Sequence, residues 1–154
     1  MPKEVFILSH AVFGTIGALA AVWVFVEALN IHQENVTRIK YMSLVVALSV
    51  WLSYLVGGYF YVKFYGVTDK TIILAGPWPW AHKFAMEVKE HVFFILLVLA
   101  TYLPIAVRDP HLLGEKGNKS LVLTVSGLVM LLVMAMDGYG ALIIMGAKQG
   151  LLAR

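Results

Sequence analysis

The chain has 154 residues, of which 60% are hydrophobic and only 14% are charged. A soluble domain carries about 25% charged residues, so this composition predicts an integral membrane protein. The sequence has no cysteine, which excludes disulfides, iron–sulfur clusters, thiolate ligands and covalently attached c-type haem. A net charge of +3, spread over short loops, argues against nucleic-acid binding.

Four apolar runs follow one another along the chain, and each is longer than the roughly 20 residues that a helix needs to cross the hydrocarbon core. No small-residue cleavage site follows the first run, so we expect a permanent first helix and not a signal peptide. We predict an all-α membrane protein with one domain, residues 1–154, whose four transmembrane helices form an up-down-up-down bundle. The predicted spans are about residues 5–29, 41–62, 80–107 and 121–146.

This topology puts both termini and the segment Lys63–Ala81 on one side of the membrane, which we call side A. The shorter loops, Asn30–Lys40 and Arg108–Ser120, lie on side B. Lysine and arginine are divided almost evenly between the two sides, so the positive-inside rule leaves the orientation open. Within Lys63–Ala81, the tryptophans of the PWPW stretch suit an anchor at headgroup level, and Pro79 suits the first turn of the third helix.

Each predicted span carries one polar side chain at the same depth. Counted from the centres of the apolar runs, these side chains lie about 10 Å from the midplane, all toward side A. Because polar groups are costly in hydrocarbon, the layer is predicted to be functional. Its members are His10, Tyr59, His91 and Asp137.

Small residues lie beside this layer. His10 shares a helical stripe with Gly14 and Gly17, and the second span carries the pair Gly57 and Gly58. Residues without bulky side chains let a flat ring, or a neighbouring backbone, approach closely. The stripes therefore predict either room for a planar cofactor or tight helix packing.

The third span begins with a polar stripe, in which Lys83, Glu87 and His91 follow at intervals of four residues. Glu87 can accept a hydrogen bond from the His91 ring and so fix the tautomer that binds a metal. Lys83 lies closer to side A, where it can pair with Glu87 or meet the acidic edge of a cofactor.

The pattern resembles the small membrane-bound b-type cytochromes that are built on a four-helix bundle. The features that carry the resemblance are His10 in LSHAVFGTIGALA, His91 in MEVKEHVFF, the YLVGGY stretch of the second span and the MDGYGALIIMG stretch of the fourth. Those cytochromes hold haem b without a covalent bond, between paired histidines, and pass electrons between quinol, redox subunits or soluble carriers.

The resemblance implies one haem b between helices 1 and 3, with His10 and His91 as its axial ligands. Two-haem members of this kind have four intramembrane histidines, and here only two are deep, so one haem is the most that the sequence supports. The resemblance also implies the cytoplasmic membrane of a prokaryote, other membrane subunits or a redox partner, and quinone as an electron carrier. The remaining cofactor-binding residues are then Gly14, Gly17, Gly57, Gly58, Tyr59, Glu87, Asp137 and Lys83.

Three other functions stay open from the residues alone. His10, His91, Asp137 and Glu87 offer mixed imidazole and carboxylate ligands, which suit non-haem iron, manganese or zinc. Glu87, His91 and Asp137 can also titrate in an aqueous cavity, as in a proton relay or a transporter. The small size and short loops are equally compatible with an accessory subunit of a larger membrane complex.

The other polar residues near the spans are expected to be solvated. We interpret His82 as interfacial, and Lys89 and Glu90 as part of a solvated helix end. His32 and His111 fall in the two side-B loops, and their shared side leaves a second site open.

Overall fold

A computed structural model of the protein describes residues 2–108 and 116–153. Helices account for almost all of these residues and no strand occurs among them, which confirms the all-α prediction. Two π-helical segments, Tyr61–Asp69 and Ala81–Met86, are continuous with the α-helices around them. The α-helices are α1 (Lys3–Leu29), α2 (Val36–Phe60), α3 (Lys70–Ala75), α4 (Glu87–Ala106) and α5 (Lys116–Leu152).

Four helical stretches in the described part of the chain are long and apolar enough to cross a membrane, as the sequence predicts. The direction in which successive spans cross the membrane stays a prediction. The four spans are Lys3–Leu29, Val36–Ala75, Ala81–Ala106 and Asn118–Leu152.

The second span is longer than the sequence predicted, because the helix continues through the first π segment and α3 to Ala75. The predicted loop Lys63–Ala81 is therefore reduced to the turn from Gly76 to Trp80. Pro77 explains where the helix stops, since a proline disfavours helical backbone in the residue before it. Gly76 accordingly has an extended backbone, with φ −89° and ψ −178°.

The main core lies between α1, α2, α4 and α5. Helix α1 packs against α2 and α5, and α4 packs against the same two helices, so the four form a ring around a shared interior. Side chains of modest size fill this interior, which lets the helices approach closely. They include the fully or almost fully buried Val24, Val46, Leu96, Leu103 and Val129.

A second, smaller core lies at the end of the bundle where the turn Gly76–Trp80 connects two spans. The two π segments, α3 and the last turns of α5 build it around the buried side chain of Tyr65. Glycines allow these helices to touch: a Cβ on Gly76 would lie 2.6 Å from the Cα of Gly150. The first helix reaches this end through Lys3, whose Nζ lies 3.0 Å from Oδ1 of Asp69.

Candidate functional site

His10 is held against α2 by the backbone carbonyl and the side-chain hydroxyl of Ser53. Its Nδ1 lies 2.8 Å from the carbonyl oxygen of Ser53 and 2.9 Å from the Ser53 hydroxyl, which itself donates to the His10 carbonyl at 3.0 Å. A carbonyl only accepts, so Nδ1 carries the ring proton and Nε2 keeps its lone pair. The ring lies directly on Gly57, where a Cβ would be 2.7 Å from Nδ1.

Asp137 reaches the same place from α5. Its Oδ1 and the Ser53 hydroxyl both lie 3.7 Å from the point that a Cβ of Gly14 would occupy. Together with His10 these groups line an interior cavity of about 10 Å³, otherwise walled by apolar side chains such as Phe93. That is roughly the space of one water molecule, and the polar groups around it are the partners that a buried water needs.

Lys89 completes the layer from α4. The side chain is half-buried, and its Nζ lies 3.2 Å from the point that a Cβ of Gly140 would occupy, next to Asp137 on α5. The charges of Lys89 and Asp137 both act on the His10 ring. Each of the four spans thus contributes one polar side chain, and we call His10, Ser53, Lys89 and Asp137 the interior polar cluster.

Of the four residues predicted for one layer, His10 and Asp137 meet at this cavity, Asp137 with an exposed side chain, and the other two do not. His91 and Tyr59 are exposed on the outside of the bundle, and Lys89 and Ser53 take their places inside. The helical period explains the exchange on α4: Lys89 and His91 are about 200° apart around the helix.

The residues that share a helical face with Lys89 are buried, and those that share a face with His91 are exposed. Phe93 and Leu96, four and seven residues after Lys89, are buried. Phe94 and Ile95, three and four residues after His91, are 58% and 57% exposed. The pattern of apolar residues in α4 could therefore have predicted that Lys89 points inward, because Lys89 lies on the same helical face as residues of the main core.

The rest of the predicted third-span stripe also lies on the outer face, since Lys83 and Glu87 are exposed. The ring of His91 bonds to Glu87, but through the backbone: His91 Nδ1 lies 2.7 Å from the Glu87 carbonyl oxygen, and not from its carboxylate as expected. The proton is therefore on Nδ1, and Nε2 is the free nitrogen of an outward-facing imidazole.

The predicted glycines serve packing in three cases out of four. Gly14 and Gly57 hold the interior polar cluster, and a Cβ on Gly17 would meet Val50 Cγ2 at 3.3 Å. Gly58 faces outward with no atom within 4 Å of its Cβ position, so it does not belong to the interior.

An intramembrane haem between His10 and His91 requires the two imidazoles to face each other across the bundle. His91 instead points away from the interior, and the cavity beside His10 has a volume of about 10 Å³. Sites for organic ligands have volumes of about 300–1,000 Å³, so the residues around His10 do not fit a haem inside the bundle. Within the described residues, no three His, Asp or Glu side chains converge as a set of metal ligands.

A second polar group, which the sequence reading missed, lies in the smaller core. His82 is 5% exposed, and its Nδ1 lies 3.1 Å from the Tyr65 hydroxyl. Tyr61 stacks on Tyr65 with a centroid distance of 5.3 Å, and its hydroxyl neighbours Glu90. One Glu90 oxygen, Oε1, is buried without a hydrogen-bond partner among the described residues. We call His82, Tyr65, Tyr61 and Glu90 the end cluster.

Of the two histidines predicted on side B, the structure describes His32. His32 is exposed and its Nδ1 lies 2.8 Å from the Asn30 carbonyl, beside a surface cleft of about 400 Å³ along α1. The nearby carboxylate of Glu27 is already paired with Arg38, at 2.9 Å. His111 lies outside the described residues.

Comparisons of this chain with protein-family models, with curated proteins and with solved structures give no match. The functional argument therefore depends on the residues and their geometry.

Proposed function

We propose that this chain is a proton-relay protein of the membrane, in which the interior polar cluster accepts and releases protons at membrane depth. The observation that carries the proposal is that His10 and Asp137, from two different spans, line one small cavity, while the Lys89 ammonium from a third span lies close to Gly140 on the same helix as Asp137. Ionisable side chains inside a bilayer are costly, and proton relays are among the functions that retain them.

The chemistry of the cluster suits proton transfer better than ligand binding. The lone pair of His10 Nε2 can accept a proton, and Asp137 can stabilise the imidazolium that forms. Lys89 opposes that charge, so the cluster holds either proton state without a large excess of one sign. The cavity of about 10 Å³ admits a single water, which is enough to bridge two groups that do not touch.

The surroundings give the relay a direction. Toward side B the core is mostly apolar, with side chains such as Val46 and Val129, and the buried hydroxyls of Ser43 and Ser126 donate to carbonyls of their own helices. Toward side A, the end cluster offers His82, Tyr65 and Glu90 as further exchangeable groups. Asp137 is exposed at the rim of the bundle, so a proton can also pass to a group that docks there. The natural setting of such a relay is a larger membrane complex in a prokaryotic cytoplasmic membrane.

Titration of His10 tests the proposal. Nitrogen NMR of histidine-labelled protein in bicelles, with His10→Gln to assign the signal, should show that the His10 imidazole titrates within the accessible pH range. Asp137→Asn and Lys89→Met should move its midpoint in opposite directions, because they remove charges of opposite sign that both act on the ring.

Glu87→Gln is the matched control, since Glu87 is exposed on the outer face of the same helix as Lys89. A His10 signal that stays in one protonation state over the whole accessible pH range would contradict the relay. A midpoint that responds to Glu87→Gln as strongly as to Asp137→Asn would contradict the role of the interior polar cluster.

Haem or metal binding is the second proposal, and a different observation favours it. His91 Nδ1 is held by the Glu87 carbonyl at 2.7 Å, which fixes the tautomer and leaves Nε2 free on the outer face. This backbone hydrogen bond is the support that metal-ligating histidines commonly have. The second axial ligand would then come from another chain. An absorption spectrum of the purified protein tests this: a Soret band that is lost in His91→Ala and kept in His32→Ala supports it, and no band in membranes supplied with haem contradicts it.

A further inference from the structure

The backbone and the side chain of Ser53 meet the same ring nitrogen of His10. The His10 Nδ1 lies 2.8 Å from the Ser53 carbonyl oxygen and 2.9 Å from the Ser53 hydroxyl oxygen. Both distances are those of an ordinary hydrogen bond, so one nitrogen has two partners that belong to one residue. Ser53 is 3% exposed, and bulk water is therefore largely excluded from both contacts.

The two partners differ in what they can do with a proton. A carbonyl oxygen only accepts, whereas a hydroxyl both accepts and donates. With the ring proton on Nδ1, the ring donates to the Ser53 carbonyl, and the hydroxyl donates to the His10 carbonyl oxygen, 3.0 Å away. With the ring proton on Nε2, Nδ1 becomes an acceptor, and of the two partners only the hydroxyl can donate to it. The carbonyl therefore favours the Nδ1–H tautomer, and the hydroxyl makes the other tautomer accessible.

The position of the ring opposes the alternative to a change of tautomer, which is a turn of the whole imidazole. A Cβ on Gly57 would lie 2.7 Å from His10 Nδ1 and 2.9 Å from its Cε1, so the ring lies directly on the backbone of α2. A ring turned by half a revolution would put a carbon atom where Nδ1 lies and lose both contacts with Ser53. His10 is therefore held in one orientation, and its two nitrogens keep different surroundings.

We propose that the Ser53 hydroxyl is the proton-transfer partner of His10, and that it lets a proton pass through the imidazole, in at Nε2 and out at Nδ1, without a turn of the ring. The inference rests on the proton relay proposed above and adds the route through its histidine. A carbonyl partner alone would hold the proton on Nδ1, so every proton that entered at Nε2 would have to leave by the same atom. The hydroxyl removes this restriction because it can take up the Nδ1 proton.

The protons in this step balance. A proton adds to the lone pair of His10 Nε2, and the N–H bond of Nδ1 breaks with its electron pair remaining on nitrogen. The Nδ1 proton binds Ser53 Oγ while Oγ releases its own proton to a water molecule in the cavity that His10, Ser53 and Asp137 line. That water passes a proton to the Asp137 carboxylate. One proton has entered the ring and one has left it, and the Ser53 hydroxyl now donates to Nδ1.

Nitrogen NMR of histidine-labelled protein in bicelles tests the role of Ser53, because protonated and unprotonated ring nitrogens have well-separated shifts. At a pH where His10 is neutral, the wild type should show a minor Nε2–H population beside the Nδ1–H form. Ser53→Ala removes the hydroxyl and keeps the carbonyl, so the Nε2–H population should fall about tenfold, which is the weight of one hydrogen bond. The same Nε2–H population in both proteins, or none in the wild type, would overturn the proposal.

Three further variants separate the hydroxyl from packing. Ser53→Thr keeps a hydroxyl and should keep the wild-type tautomer populations, whereas Ser53→Cys fills the site with a much weaker donor and should lower the Nε2–H population. Ser49→Ala is the matched control, since Ser49 is a buried serine one turn away on the same helix and packs beside Gly17. A loss in Ser49→Ala as large as that in Ser53→Ala would show that packing, and not the hydroxyl, sets the tautomer.

The same spectra distinguish a failure of this inference from a failure of the relay. A His10 ring that titrates but has equal tautomer populations with and without the Ser53 hydroxyl contradicts the route through Ser53 and leaves the relay in place. A ring whose tautomers depend on Ser53 but which never becomes charged over the accessible pH range contradicts the relay, and the passage of protons through the ring with it.

Discussion

At the scale of single residues, the contact between His10 and Gly57 decides the geometry of the interior polar cluster. The imidazole is held from one side by Ser53 and rests on bare backbone at Gly57, so it cannot move away from an added methyl group without losing its hydrogen bonds. The neighbouring Gly58 points outward into open space. The two adjacent glycines therefore have different roles although they look alike in the sequence.

Gly57→Ala should accordingly destabilise the protein. The new Cβ would lie 2.7 Å from His10 Nδ1, and overpacking of this kind costs about 1–3 kcal/mol. Gly58→Ala should be neutral or stabilising by up to about 1 kcal/mol, because alanine is the better helix former. The midpoint of thermal unfolding in detergent measures both, and equal midpoints for the two variants would contradict the seating of His10.

The positions of individual residues also show how much of the site could be predicted from the sequence. His10 and Asp137 were predicted from depth, and Gly14 from the helical stripe that it shares with His10; all three lie around one cavity. His91 was placed by depth alone, and depth does not specify the direction of a side chain around the helix axis. Lys89 was missed because charge suggested solvent, although its position four residues before the buried Phe93 pointed inward.

At the scale of helices, the second and fourth helices continue past the spans that the apolar runs predict. Apolar runs report the part of a helix that lies in lipid, and a helix continues past them as long as no residue stops it. Only the Gly76–Pro77 step ends the second span. The fourth span reaches Leu152 because its last turns pack through Gly146 and Gly150 on the helices of the smaller core.

This close contact between helix ends can be broken by one methyl group. A Cβ on Gly150 would lie 2.8 Å from Cγ2 of Ile72 and also clash with the Ile72 backbone, so Gly150→Ala should separate α5 from α3. The expected result is faster proteolysis or hydrogen exchange of Lys70–Ala75, with the main core unchanged. Gly138→Ala on the same helix meets no atom within 4 Å and should behave as wild type. Protection of Lys70–Ala75 that is equal in both variants would contradict the contact.

At the scale of the whole molecule, the helices are longer than the membrane is thick. The continuous helix Val36–Ala75 has 40 residues, or about 60 Å, whereas the hydrocarbon core is about 30 Å thick. The polar residues Thr68, Asp69 and Lys70 lie near its far end. We infer that the far end of this span, with Thr68, Asp69 and Lys70, lies outside the hydrocarbon.

Cysteine labelling in intact membranes measures this placement. Val67 is 68% exposed and Leu55 is 59% exposed, so the fold itself leaves both open. A water-soluble maleimide should label Val67→Cys, because that position lies beyond the lipid. It should not label Leu55→Cys unless detergent is added. Equal labelling of both variants before detergent is added would contradict a protruding second span.

The π segment Tyr61–Asp69 has a consequence for any alignment of relatives of this chain. Its hydrogen bonds span five residues where those of an α-helix span four, so it accommodates chain that a regular helix would not. Removal of one residue from it can be absorbed by a return to α-helical hydrogen bonds, which keeps Ile73 on the face that packs on α5, whereas removal of a residue from a regular α-helix turns everything beyond by about 100°. Relatives that lack the π turn should therefore show a one-residue gap between positions 61 and 69, with the apolar pattern of the following segment kept in register.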